Sequence, residues 1–193
     1  MSLCPDQPEA LGLLALMLHA WARDGARRGP DGRYVPLPEQ DMAAWDSGMI
    51  DEAERVIELA ARQRRPGRFQ IEAAIQSVHA ARRLTGTTDW RAILGFYDAI
   101  IASSNSPVPA INRCVAVMHV HGPEPALADL EALVPDRRLD GYQPYWAARA
   151  EILSQTGDNA VAAAAYDRAI ALEDDPAVAA FLAERKAALG GQA

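Results

Sequence analysis

The sequence predicts an all-α protein: an N-terminal helical part packed on tandem helical hairpins in a right-handed stack, closed by a C-terminal capping helix. Two observations carry this. Residues 141–172 read as two helices with a turn at Gly157: Trp146, Ala150 and Leu153 fall four and three apart on the first, Ala162, Tyr166 and Ala169 four and three apart on the second. Each helix therefore has one apolar face, and small residues at Ala150 and Ala162 allow the faces to meet closely between the bulky Trp146 and Tyr166. The second observation is a recurrence. Tyr97 and Pro107 stand 69 residues before Tyr166 and Pro176, which is two periods of about 34 residues and one residue over. A middle hairpin fits between them, with a helix from about Pro109, a turn at Gly122, 35 residues before Gly157, and a second helix over 123–133.

This large/small alternation with a proline at the far end is the tetratricopeptide pattern, and three such hairpins are about the minimum that buries a continuous core. The predicted division is 5–66 for the N-terminal helical part and 67–193 for three hairpins and a cap.

Taken in order, Pro8 opens a helix at a position that tolerates proline, and residues 8–23 are apolar nearly all round, as in a helix covered on most sides. Residues 24–38 carry three Gly and three Pro without helical period, so they are expected to form an ordered loop or short extended segment. Asp41 is expected to cap a helix reaching about Gln63, with Trp45, Met49, Val56, Leu59 and Ala60 inward. Pro66-Gly67 breaks the pattern. The next helix, 70–84, presents Ile71, Ala74, Ile75, Val78 and Ala81 on one side, and Asp89 caps a helix over 90–102. Pro176 starts a last helix to Leu189, whose Glu184, Arg185 and Lys186 offer the polar outer face that a terminal repeat needs.

With 193 residues, half of them hydrophobic, the chain can bury about 70% of its unfolded surface without disulfide or metal. A net charge of −7 argues against direct nucleic-acid binding, which needs clustered Lys/Arg in excess. Eighteen arginines against one lysine, Lys186, fit the base composition of a GC-rich genome. Cys4 and Cys114 belong to no ligand or redox spacing, which suits a reducing cytoplasm and leaves neither cofactor nor metal implied. The apolar run 10–22 is too short to span a bilayer, and Asp6 and Glu9 stand where a signal peptide needs Lys or Arg.

No nucleophile with a partnered base can be read, so no enzymatic activity is expected. His119 and His121, two apart, point to different faces of a helix and suit no shared metal. Asp41 and Asp46 are explained by a helix cap and a surface carboxylate. Arg62, Arg64, Arg65 and Arg68, and Arg23, Arg27, Arg28 and Arg33, form two positive patches for which a favourable helix-end dipole suffices. Arg82, Asn112, Arg113, His119 and Glu151 fall on first helices of hairpins, which line the concave face of such stacks, and are the candidates for gripping a peptide or protein segment.

In order, residues 8–23, 30–46, 68–81, 88–101 and 106–123 resemble the C-terminal helical extension of bacterial extracytoplasmic-function RNA polymerase sigma factors of the group linked to YCII-related proteins. The residues that carry the resemblance are Glu9 to Ala15, Gln40-Asp41, Trp45-Asp46, Gln70, Ala73 to Ile75, His79, Asp89-Trp90, Tyr97-Asp98 and Asn112-Arg113. It departs modestly at 20–22 and at Arg68-Phe69. The resemblance implies a cytoplasmic regulatory module of a transcription initiation factor. Its partners would be the sigma factor's own N-terminal domains and, through them, RNA polymerase, with a protein or small-molecule regulator. The polymerase- and promoter-binding regions are not in this sequence. Gln40, Asp41, Trp45, Gln70 and His79 are the candidate contact residues between the two halves of the extension. The alternative is a free-standing tetratricopeptide adaptor that binds a peptide or protein partner.

Overall fold

Prolines and short acidic side chains set where most of the helices begin. The computed structural model describes residues 7–134 and 136–191; among them are nine α-helices, joined by turns and short 3-10 segments, and no strand. Helices α1 (Pro8–Ala22), α5 (Pro107–His121), α6 (Pro123–Glu131), α7 (Gln143–Thr156) and α9 (Pro176–Ala188) carry proline at their first or second position, where its missing N–H would be unsatisfied anyway. Asp46, Asp89, Asp158 and Asp175 accept first-turn N–H groups of α2 (Ser47–Arg62), α4 (Trp90–Ser103), α8 (Asn159–Ala171) and α9. Helix α3 (Arg68–Thr85) and α7 stop at Gly86 and Gly157, with φ of 76° and 83°, a left-handed conformation that glycine adopts without steric penalty.

The chain divides into two units, one of residues 1–31 and 35–100, the other of residues 32–34 and 101–193. Pro66 lies inside the first unit, between α2 and α3, while Cys4 and Pro5 lie outside the described residues.

In the first unit α1 packs along both α2 and α3, burying Leu11, Ala15, Ala53, Val56, Ala60 and Ala73 together. The approach of α1 to α3 depends on Gly12, where a Cβ would stand 2.6 Å from the backbone nitrogen of Gln70. The helix expected from Asp41 is divided: Asp41 caps a 3-10 turn, Met42–Ala44, and Asp46 starts α2 anew. Each carboxylate takes its own N–H, so one continuous helix gives way to two starts. The inward face is accordingly Ile50, Ala53, Val56 and Ala60, whereas Met49 and Leu59 are exposed. In α3, Ile75 is buried as expected, Ile71, Ala74 and Val78 are half-buried, and Ala81 is exposed. Gln70, Ala73 and Ala80 take the buried positions instead. Nor is α1 covered all round: Leu13, Met17 and Trp21 remain exposed along the side that α2 and α3 do not reach. The 24–38 segment is ordered by 3-10 turns at Asp24–Ala26 and Leu37–Glu39 and by the Val35 N–H, which donates to the Arg27 carbonyl at 3.0 Å. Helix α4 meets α3 through an edge-to-face contact of Trp90 with His79, ring centroids 5.6 Å apart.

In the second unit successive helices pack in series, α5 on α6, α6 on α7, α7 on α8 and α8 on α9. Helix α5 starts at Pro107, earlier than the spacing predicts, because the Ser106 hydroxyl caps it by accepting from Val108. The α7–α8 hairpin has the predicted interior: Ala150, Leu153, Ala162, Tyr166 and Ala169 are buried, with Leu182 of α9 among them and Trp146 packed alongside.

Candidate functional site

The polar groups of the first unit converge on one indole. Trp45 lies in the segment between its two capping aspartates and is buried with Ala22, Ala26, Ile50 and Ala80. The guanidinium carbons of Arg23 and Arg82 stand 5.9 and 5.6 Å from its ring centroid, a cation–π distance from both. Arg23 comes from the end of α1 and donates to the Gln76 side-chain oxygen at 2.6 Å. Arg82, two turns further along α3, donates to the carbonyls of Leu37 and Pro38 at 3.1 and 3.2 Å. Gln40 is buried beside that turn and donates to the Val35 carbonyl at 3.1 Å. Thus Trp45 and Arg82, read separately from the sequence, are in contact, and Gln40 ends the turn that Arg82 holds. Asp41 is adjacent in sequence but is occupied with the Ala43 N–H at 2.9 Å.

Two residues of α1 join this unit more deeply. The Glu9 carboxylate caps α3 from a distance, accepting from the backbone N–H groups of Phe69 and Gln70 at 3.1 and 3.3 Å, as an anion at a helix N-terminus should. Gln70 is buried and donates its side-chain amide to Glu9 at 3.2 Å and to the Arg65 carbonyl at 2.8 Å. It therefore binds α1 to α3 inside the unit. His19 is 2% exposed, and its Nε2 lies 3.2 Å from Ser77 Oγ and 3.4 Å from Glu54 Oε1. A hydrolytic triad uses the two ring nitrogens for nucleophile and acid separately. Here one nitrogen faces both, so Ser77, His19 and Glu54 lack the arrangement of a relay. Burial, with Arg23 and Arg83 nearby, lowers the His19 pKa to about 4.

In the second unit the candidates on first helices are spread out. Asn112 is exposed, and Arg113 pairs with Asp129 of α6 at 2.6 Å. His119 is exposed on the same helix. Glu151 is engaged within the fold: Arg185 donates to its two oxygens at 3.0 and 2.9 Å and the Tyr166 hydroxyl at 3.1 Å. Burial first, and Glu151 next, push the Tyr166 hydroxyl up to about 12. The group borders a recess of about 360 Å³ lined by Ser154, Gln155, Gly157, Tyr166, Arg185 and Leu189. Cys114 is buried, and burial pushes its thiol up to about 12, far from the reactive thiolate range. Among the described residues no three His, Cys, Asp or Glu side chains gather to hold a metal, and no helix is long and apolar enough to cross a membrane.

The comparisons with known proteins bear on the same residues. A family model described as a family of unknown function, DUF6596, matches residues 1–61, the stretch that contains Glu9, His19, Arg23 and Trp45. An uncharacterized protein of Rhizobium meliloti (strain 1021) is 42% identical over 182 residues, covering 94% of this chain and 43% of its own length. The chain thus spans less than half of that relative. No solved structure matches it.

Sequence reasoning missed Glu9, His19, Arg23, Gln76 and Ser77 as parts of these clusters. Their partners lie 53 to 61 residues away, beyond any local periodicity. The one available signal was polarity within an apolar run: His19 is the only polar residue of 10–22, and a polar group on a covered helix face needs a buried partner.

Proposed function

We propose that this chain is the C-terminal regulatory extension of an extracytoplasmic-function sigma factor, controlling initiation through contact with the sigma domains and without chemistry of its own. Such a module works by binding two arrangements of those domains unequally, since only differential affinity shifts an equilibrium. The observation that carries the reading is the length of the Rhizobium meliloti relative: the match at 42% identity leaves more than half of that protein outside it, room for polymerase- and promoter-binding regions. The ordered set of residues from Glu9 to Arg113 supports the same reading.

Co-purification with core RNA polymerase tests it, using the full-length relative, the relative without the matched region, and this chain alone. The expected result is that both forms of the relative bind core, that this chain alone does not, and that removing the matched region changes promoter-dependent transcription by about tenfold or more, the scale of a coupling free energy above 1 kcal/mol. Failure of the full-length relative to bind core overturns the sigma assignment and leaves the tetratricopeptide adaptor as the reading. Asn112 and Arg113 are the contact candidates in either case. Unchanged partner binding by the Asn112→Ala, Arg113→Ala double variant, with the fold intact, removes them.

A further inference from the structure

The arginines around Trp45 differ from the others of the first unit. Arg55, Arg62 and Arg68 each pair with a glutamate of their own helix, and Arg83 pairs with Asp51 at 2.7 Å. Arg23 and Arg82 are instead half-buried against the same indole with neutral partners, Gln76 and the carbonyls of Leu37 and Pro38. Arg27 is exposed; burial first, and then the charges of Arg27 and Arg82, make Arg23 easier to deprotonate. Among the described residues, no carboxylate is hydrogen-bonded or ion-paired to Arg23, Arg27 or Arg82. That is notable in a chain with 26 acidic residues against 19 basic ones. Like charges gathered in a partly desolvated place without a counter-ion repel one another, and an anion relieves that repulsion.

A second observation concerns hydrogen bonds. The Nε of Arg82, the indole Nε1 of Trp45 and the Oε1 of Gln40 are buried without a partner, on side chains of which Trp45 is 5% and Gln40 8% exposed. Buried polar atoms are nearly always paired. Two of them, on Trp45 and Arg82, belong to side chains in contact, and the third, on Gln40, ends the turn whose carbonyls hold Arg82; together they describe a complement: an acceptor for the two N–H groups and a donor for the amide oxygen.

We propose that Arg23, Arg27, Arg82, Trp45 and Gln40 form a binding site for a small oxyanion that also carries an O–H, a hydrogen phosphate or a hydroxylated carboxylate. The guanidiniums supply the charge, the indole N–H and Arg82 Nε the directed donors, and Gln40 the acceptor that tells a protonated or hydroxylated anion from a bare one. The 3-10 turn at Leu37–Glu39, whose Leu37 and Pro38 carbonyls hold Arg82, borders the site. The site stands on this geometry whether or not the chain serves a sigma factor.

Titration of the whole chain with inorganic phosphate and with citrate, followed by the NMR signals of the Trp45 indole N–H and the arginine Nε–H groups, tests the proposal. The expected result is a saturable shift of the Trp45 and Arg82 signals with at least one of the two anions and none with chloride at matched ionic strength. A response to phosphate alone marks a phosphorylated ligand, and a response to citrate alone a carboxylate. Arg82→Gln is expected to weaken binding about tenfold or more, as loss of a charged hydrogen bond does. Arg27→Gln, at an exposed position that the fold does not need, is expected to weaken it in the same direction if the first variant fails to fold. Shifts that grow linearly with salt, that chloride reproduces, or that survive both substitutions overturn the proposal.

Discussion

The two units solve the problem of a helical core in opposite ways. In the second, the hairpin α7–α8 is interlocked by alanines and one tyrosine, and its polar links span shorter distances in the chain: Glu151 with Tyr166, 15 residues on, Arg113 with Asp129, 16 residues on, and Glu151 with Arg185, 34 residues on. In the first, the core takes in His19, Gln40 and Gln70, the three buried polar residues of the described chain, and its polar links reach from α1 to α3 across 53 to 61 residues. A repeat needs only a period, and shape does the rest. A core crossed by polar groups needs each partner in place, since one left unpaired is expensive. The first unit therefore depends on each of these partners being in place.

This contrast can be broken most sharply on the apolar side. Tyr166→Ala, at a position 2% exposed, removes the plug between Ala150 and Ala162 and is expected to destabilise the second unit by about 3–5 kcal/mol. Urea unfolding combined with amide hydrogen exchange reads whether the loss stays in α7–α9.

The largest effect expected in the first unit comes from pH. The His19 ring takes a proton near 6.5 ordinarily and near 4 when folded. Between those values the unfolded chain binds more protons, so stability is full above pH 6.5 and falls as pH is lowered toward 4. The total loss is about 3 kcal/mol. Chemical denaturation at pH 7, 5.5 and 4 checks the slope, and His19→Gln should flatten it while leaving the second unit's exchange pattern alone. Retention of the slope in that variant would assign it to other groups.

Smaller effects sharpen the comparison. Gly12→Ala places a carbon against the backbone of Gln70, and separating α1 from α3 is expected to cost about 1–3 kcal/mol. The same substitution at Gly95, where an added Cβ meets nothing, should cost little or stabilise α4. Comparing the two melting temperatures tests whether close approach, and not helix propensity, governs Gly12. Asp158→Ala or Asp175→Ala, each removing an N-cap of the second unit, should cost about 1 kcal/mol, a local loss visible as faster exchange in the first turn alone.

What was legible in the sequence follows the same division. The spacing of Trp146, Ala150 and Leu153 against Ala162, Tyr166 and Ala169 gives the hairpin directly, because packing partners there are also neighbours in period. In the first unit the helices themselves are legible but their faces are not. Met49 and Leu59 look inward by hydrophobicity, yet the second cap at Asp46 restarts the helix and turns Ile50 and Ala53 inward instead. Gln70 and Glu9 show no pattern at all, since a cap supplied from another helix leaves no local signature. Of the candidate residues, Trp45 and Arg82 are brought together, whereas Glu151 is engaged by Arg185 and Tyr166.

The link from Glu9 to Gln70, 61 residues apart, also fixes an order of events during synthesis. Helix α1 leaves the ribosome about 3–12 s before the start of α3 at ordinary elongation rates of roughly 5–20 residues per second. During that interval α2 can cover one side of α1, but the side that α3 closes, where Glu9 meets Gln70, has no native partner. Pairing over such a distance raises contact order, so the α1–α3 contact is the late step in closing the first unit.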